Sequence, residues 1–254
     1  MVGKVEKYLL NRIKRDGAAH LTLIDPEKET TASAASIADT AEKCKTAAIM
    51  VGGSTSMSTS HLDHVLKAIK KSVKVPIVLF PNNVTGISPY ADAIWFMSLV
   101  NSLDPYFLIG AQILGAPMVK KYSLEAIPLG YIVVGEGGTA SIVGRAAPIP
   151  FEKPELAVAH ALAAEYLGMR FVYLEGGSGA SRPVPAKMIQ KVKSQIDIPL
   201  IVGGGIRTSE QAKKAVAAGA DLIVTGTVME QNCGQAKIRD MIGSIRTSRT
   251  KGRV

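Results

Sequence analysis

The sequence predicts an α/β protein of the (β/α)8 type, a TIM barrel modified by replacement of its third helix with an extended segment. Three observations carry that expectation. Eight short runs rich in β-branched and apolar residues recur with helical stretches between them, as fully buried parallel strands require. The last three runs each close in a glycine-containing segment, late in the chain, where barrels commonly place a phosphate site. A length of 254 residues, 47% of them hydrophobic, suits one barrel folded as a single domain over residues 1–254. A doubly wound open sheet is the alternative, less consistent with phosphate-type turns confined to the end of the chain.

The first seventeen residues, MVGKVEKYLLNRIKRDG, form an amphipathic helix whose apolar stretch is too short for a signal peptide or membrane span. Strand-like runs follow at 18–26, 47–54, 75–82, 93–101, 125–135, 171–177, 199–205 and 222–227. The stretches PELAVAHALAAEYLG and SEQAKKAVAAGA between later runs read as crossover helices. Only NVTGISPYAD separates the third run from the fourth, and Gly86 and Pro89 break it. A missing third helix there would leave an apolar gap in the outer wall beside Ile94, Trp95, Phe96 and Met97, wide enough to take a long apolar ligand.

Composition narrows the function classes. Cys44 and Cys233 have no metal-ligand or CxxC spacing, which indicates inert thiols in a reducing, cytoplasmic compartment. The formal charge is +9, much of it from Lys237 onward, where six cations face one acid, Asp240. No aromatic residues are interleaved with those cations, so nucleic-acid stacking has no support. A solvated, frayed tail over 237–254 is the plain reading, and attraction to an anionic membrane surface is the other. The four histidines show no metal-binding spacing, and His61 and His64 read as exposed helix residues.

Strand C-termini carry function in a barrel. Asp25 ends the first run and either caps the next turn or joins Ser54 in holding Mg2+, an ion that takes few carboxylates and fills its sphere with water and phosphate oxygens. On the sixth run, Tyr173 and Glu175 alternate with Val172 and Leu174, so both face the barrel axis. A carboxylate beside an anion-binding turn repels phosphate but can accept a proton from a hydroxyl. Glu175 therefore suggests a phosphorylated polyol, with an internal salt bridge as the alternative and Tyr173 either positioning substrate or packing. The glycines of YLEGGSG, VGGGIRT and VTGT let the backbone approach an anion closely.

The runs LIDPEK, VGGSTS, LFPNN, FMSLVNS, YIVVGEGGTAS, YLEGGSGA, VGGGIRT and VTGT, between Leu21 and Val228, resemble those of the geranylgeranylglyceryl phosphate synthases and their bacterial heptaprenylglyceryl phosphate synthase relatives. YLEGGSGA and LIDPEK are the specific ones, whereas GGGIRT and GT occur in many phosphate-binding barrels. The resemblance implies a Mg2+-dependent prenyltransferase that joins geranylgeranyl diphosphate to the C3 hydroxyl of sn-glycerol 1-phosphate and releases diphosphate, making the first ether of archaeal membrane lipids. A longer prenyl donor, as in the heptaprenyl relatives, is the alternative. It also implies that Asp25 and Ser54 bind Mg2+, that Tyr173, Leu174, Glu175, Gly176, Gly177, Ser178 and Gly179 form the glycerol phosphate loop, and that Gly204, Gly205, Gly226 and Thr227 cradle the phosphate. Glu175, with Tyr173, would be catalytic.

No DDxxD motif is present, so the metal is expected to bind weakly without diphosphate. Trp95 either limits prenyl length or packs the barrel. A sugar-phosphate isomerase or lyase is the rival enzyme. Such enzymes need an acid–base pair or a Schiff-base lysine at strand ends, whereas this sequence has no strand-interior lysine and Glu136 is the only acid near the end of the fifth run. A basic adaptor would explain the tail but not Glu175. An apolar outer wall favours homo-oligomers.

Overall fold

Helix α1 (Lys4–Asp16) closes the N-terminal end of the barrel, and local chemistry explains how it sits there. Gly3 offers no side-chain cap; instead the Glu125 carboxylate accepts hydrogen bonds from the N–H groups of Val5 (2.7 Å) and Glu6 (2.8 Å). That pins the helix start to a strand, and Val5 and Leu9 insert into the barrel interior. The computed structural model describes residues 2–53, 58–226 and 235–247.

Eight strands, β1 (Ala19–Ile24), β2 (Ala48–Val51), β3 (Ile77–Leu79), β4 (Ala93–Leu99), β5 (Glu125–Val133), β6 (Phe171–Glu175), β7 (Leu200–Gly203) and β8 (Leu222–Thr225), pair in parallel and in chain order. The register Thr22↔Thr225 between β1 and β8 closes the barrel. Strands end earlier than the apolar runs because the final glycines leave the ladder to build loops.

The outer layer comprises α2 (Thr31–Lys43), α3 (Thr59–Ser72), α4 (Ala111–Lys121), α5 (Gly138–Val143), α6 (Pro154–Tyr166), α7 (Ala186–Lys193), α8 (Ser209–Ala217) and α9 (Gln235–Thr247). Proline starts α6, and a Thr208/Gln211 capping box starts α8.

Between β3 and β4 there is no crossover helix, only a single 3-10 turn at Val84–Gly86 and extended chain, as the broken sequence implies. A π-helical turn, Tyr106–Gly110, precedes α4. Ile87 and Val119 cover part of the exposed wall.

Strand alternation sorts the core. Leu21, Met50, Val78, Trp95, Leu129, Phe171, Tyr173 and Ile201 fill the interior, whereas Ile94, Val172, Leu174 and Val202 face the helices. Ile94, Trp95, Phe96 and Met97 all border an apolar cavity beside the wall gap, from different sides of the strand. Ile94 and Phe96 face outward, but Trp95 points inward, is fully buried and meets Phe171 edge-on at 5.1 Å between ring centroids.

Candidate active site at the C-terminal mouth

A cavity of about 170 Å3 opens at the C-terminal ends of the strands, lined by Asp25, Lys28, Tyr173, Glu175, Gly204 and Gly226 among others. Asp25 leaves β1 on the inward side and is largely buried. Its carboxylate accepts the Glu27 N–H at 3.1 Å and pairs with Lys28 Nζ at 3.3 Å. The turn is braced from α3, where His61 Nε2 lies 2.8 Å from the Pro26 carbonyl oxygen. His61 is thus a half-buried brace and not the free surface residue expected, while His64 is exposed as expected. Gly53 is what lets β2 end beside Asp25, because a Cβ there would collide with the carboxylate.

Across the mouth, β6 presents Tyr173 and Glu175 to the axis. Tyr173 is fully buried, stacked on Phe80 at 5.7 Å and edge-on to Tyr131 at 5.2 Å. Its hydroxyl has no partner at hydrogen-bonding geometry among the described residues. The Glu175 carboxylate accepts the Gly177 N–H at 2.6 Å. Burial pushes the Glu175 carboxyl above its usual range, opposed by that N–H and the nearby tyrosine hydroxyls. Burial first, and the Glu175 charge second, push both tyrosines well above theirs. Burial and these hydrogen bonds therefore pull the titration of this carboxyl in opposite directions.

The glycines differ in what they do. Gly176 N–H donates to the Gly203 carbonyl at 2.9 Å and Gly177 N–H to Glu175, so both are engaged within the protein. Ser178, Gly179, Gly204, Gly205 and Gly226 line the cavity. Gly204 has a φ of +84°, and a Cβ on it would lie 2.5 Å from both Glu175 Oε1 and the Gly177 nitrogen. The loop after β6 is tied to its neighbours: Ser181 donates N–H and Oγ–H to Glu136, and Arg207 donates to the Gly179 carbonyl at 3.1 Å.

A second, apolar cavity of about 140 Å3 runs from the mouth to the wall gap, past Ile94, Trp95, Phe96, Met97 and Phe107 to Val84, Ile87 and Ala111. The two cavities share Leu23, Gly52, Gly53, Phe80, Tyr131 and Ala140. Gly115 lets α4 approach the chain that replaces the third helix, since a Cβ there would sit 2.9 Å from Ile87 Cδ1.

The sequence matches the PcrB family over residues 11–245. The chain belongs to that family. It is 55% identical over 245 residues to the geranylgeranylglyceryl phosphate synthase of Thermofilum pendens, covering 96% of this chain and 94% of that one. It is also 55% identical over 229 residues to the enzyme of that name from Pyrococcus furiosus, covering 90% and 91%. Among solved structures it superposes with a TM-score of 0.91 on (S)-3-O-geranylgeranylglyceryl phosphate synthase from Thermoplasma acidophilum in complex with its substrate sn-glycerol-1-phosphate. That pair is 42% identical, covering 97% of this chain and 99% of the other. A thiamine phosphate pyrophosphorylase from Pyrococcus furiosus, 12% identical with a TM-score of 0.60 over 92% of this chain and 98% of its own, shares the barrel alone.

In this PcrB-family chain the fold brings Asp25, Tyr173, Glu175, Ser178, Gly179, Gly204, Gly205 and Gly226 to one cavity. Ser54 and Thr227 lie outside the described residues, as do Cys233 and the tail from residue 248. Leu174 turns its side chain into the helix shell, so it can contribute only backbone at the site. The Cys44 thiol is buried, and burial raises its pKa, in keeping with an inert role. Sequence reasoning missed Phe80, Tyr131, Gly53 and Arg207. Inward parity on β5 was the available signal for Tyr131, and its place two residues after the last glycine of that turn was the signal for Arg207.

Proposed function

We infer that this chain forms the ether bond between an isoprenyl diphosphate, geranylgeranyl diphosphate, and the C3 hydroxyl of sn-glycerol 1-phosphate. Membership of the PcrB family and the names of its relatives support the activity. The observation that carries the reading is the junction of a polar cavity with an apolar one, with Glu175 on the polar side. In this reading Ser178, Gly179, Gly204, Gly205 and Gly226 surround the acceptor's phosphate, and Glu175 accepts the proton of the C3 hydroxyl. That oxygen bonds to the allylic carbon, whose bond to the diphosphate oxygen breaks, and diphosphate leaves with both bonding electrons.

A single carboxylate at the opposite end of the cavity fits a hard cation that draws its remaining ligands from water and substrate oxygens. Among the described residues no group of three or more His, Cys, Asp or Glu could hold a metal alone. Asp25, joined by Ser54 on the family resemblance, would hold Mg2+, which when bound supplies positive charge to the departing diphosphate. Lys28, paired with Asp25, stands where it can share that anion.

The apolar cavity takes the prenyl chain. Transfer of about twenty carbons at about 0.8 kcal/mol each gives a gross term on the order of ten kcal/mol, enough to anchor a lipid donor. Exposed Leu103, Ile109, Ile113, Leu114 and Ile142 on the outer wall support self-association, and the excess of cations supports contact with anionic membrane surfaces. No helix among the described residues is long and apolar enough to cross a membrane.

The test is incubation of the protein and Mg2+ with each glycerol 1-phosphate enantiomer and prenyl diphosphates from C15 to C35, read by product mass. A geranylgeranyl ether of one enantiomer is expected. Absence of any prenyl ether across the panel would refute the reading, and a C35 product would move the chain to the heptaprenyl activity.

A further inference from the structure

Two basic residues line the polar cavity, Lys28 and Arg207, and they occupy different sides of it. Lys28 belongs to the Asp25 turn. Arg207 follows the Gly204-Gly205-Ile206 turn and immediately precedes the Thr208 cap of α8. Its backbone is fixed, because Gln211 Oε1 accepts the N–H groups of Arg207 (2.7 Å) and Thr208 (3.1 Å). Its guanidinium reaches the loop after the neighbouring β6 and donates one N–H to the Gly179 carbonyl at 3.1 Å. Arg207 therefore joins the two glycine segments that flank the cavity.

The charge on Arg207 acts on Glu136 without ion-pair contact. Among the described residues no carboxylate forms an ion pair with it, although Arg12, Arg15, Arg145, Arg170, Arg182 and Arg246 all have one. Glu136, which feels the charges of Arg182 and Arg207, has both carboxylate oxygens engaged by Ser181. A guanidinium carries five N–H donors in a planar fork, so donation to Gly179 leaves others for a tetrahedral anion. Backbone N–H groups of glycine turns attract any anion weakly. A full positive charge held between those turns adds charge-assisted hydrogen bonds that a neutral polyol cannot use.

We propose that Arg207 is the specificity-determining residue of the acceptor subsite, binding the phosphate of the polyol phosphate and so discriminating against the unphosphorylated polyol. This rests on the acceptor reading given above. Arg207 does not touch the reacting oxygen, so its effect falls on acceptor binding and leaves the chemical step alone. Lysine cannot keep the fork that bonds Gly179 and phosphate together, so R207K is expected to recover only part of the effect.

The experiment compares wild type with R207Q and R207K in two assays. In steady-state turnover, R207Q should raise the KM for sn-glycerol 1-phosphate by about tenfold or more, as loss of a charge-assisted contact does. Its kcat and its KM for geranylgeranyl diphosphate should stay within about twofold of wild type, with R207K intermediate. Calorimetric titration with inorganic phosphate should show a matching loss of affinity in R207Q without any prenyl transfer. An unchanged KM for glycerol phosphate, or a fall in kcat together with a rise in both KM values, would overturn the proposal, the latter by showing a merely structural role. Phosphate binding to wild type that R207Q retains, or no phosphate binding to wild type, would overturn it too. Failure of the functional reading looks different: wild type makes no ether, yet phosphate titration still separates the variants. Thermal melts of both variants confirm that they are folded, and R207K carries the test if R207Q is not.

Discussion

Replacing Glu175 by Gln separates catalysis from binding and from stability, because the proposed reading gives this side chain a part in all three. Gln has nearly the same size, and its amide oxygen can still accept the Gly177 N–H that Glu175 accepts at 2.6 Å. The phosphate loop therefore keeps its anchor, and the KM for glycerol phosphate should stay within about threefold. The lost function is proton acceptance, and a positioned base contributes about 10^2 to 10^4 in rate, or roughly 3–5 kcal/mol of barrier. Turnover should fall by about a hundredfold or more.

Stability moves the other way. Burial raises the Glu175 pKa above its ordinary 4.5 in the folded protein. As pH rises from 4.5 to the raised value, the unfolded chain has released a proton that the folded chain still holds, so stability falls across that window and stays lower above it. Gln carries no such charge. The variant should melt above wild type at pH 8 and close to it near pH 4. Steady-state kinetics by product mass and thermal melts at the two pH values test both halves. Wild-type turnover would remove the role of base. A KM for glycerol phosphate rising by the factor that kcat falls would make Glu175 a binding residue.

Gly53→Ala places a methyl group against the Asp25 carboxylate, so the apparent affinity for Mg2+ in turnover should drop with little change in melting temperature; equal Mg2+ dependence would detach Asp25 from the metal. Trp95→Ala removes a fully buried ring that borders the apolar cavity, so it should admit longer prenyl diphosphates and lower stability by about 3–5 kcal/mol. An unchanged chain-length profile would leave Trp95 as packing alone. His20, buried between Thr46 Oγ1 (3.0 Å) and Thr225 Oγ1 (2.8 Å), has its pKa lowered by burial from 6.5 to about 3. The unfolded chain then binds the proton first as pH falls below 6.5, so stability should drop by up to about 1.4 kcal/mol per unit toward pH 3, a slope that denaturant titration should find missing in His20→Gln.

What the sequence revealed, and what it hid, follows from the range of the interactions involved. The eight strands were legible because a buried parallel strand is an unbroken apolar run, and the inward placement of Tyr173 and Glu175 followed from alternation with Val172 and Leu174. The same rule applied to β4 turns Trp95 inward, in line with the barrel-packing role that the sequence left open beside the chain-length role. The missing helix was legible because ten residues broken by Gly86 and Pro89 cannot make a crossover helix. Contacts between distant segments were not. Nothing local in LFPNN announces that Phe80 stacks on Tyr173, and nothing in the spacing of His61 shows that it braces Pro26 from another helix. The use of the Gly176 and Gly177 N–H groups inside the protein was equally hidden, because composition cannot tell which amides of a glycine loop remain for a ligand.

The missing helix and the aromatic cluster belong to one device. Phe80 directly follows the short β3, where a helix would otherwise begin, and its ring meets Tyr131 edge-on at 5.4 Å and Tyr173 face-on at 5.7 Å. In an ordinary barrel the outer face of β3 and β4 would be sealed, and an interior aromatic cluster would only be core. Here the wall beside it is open, so the cluster becomes a partition. Phe80 and Tyr131 border both cavities, with Asp25 and Glu175 on one side and Ile94, Phe96 and Phe107 on the other. A molecule that is charged at one end and apolar along its length can lie across that partition in one orientation only. Its reversal would bury the anion among hydrocarbon side chains and expose the chain to water, each at a cost of several kcal/mol. In the proposed function, interior aromatic packing on one side and a deleted helix on the other would thus fix which end of the donor faces Glu175, before any contact with the reacting carbon is made.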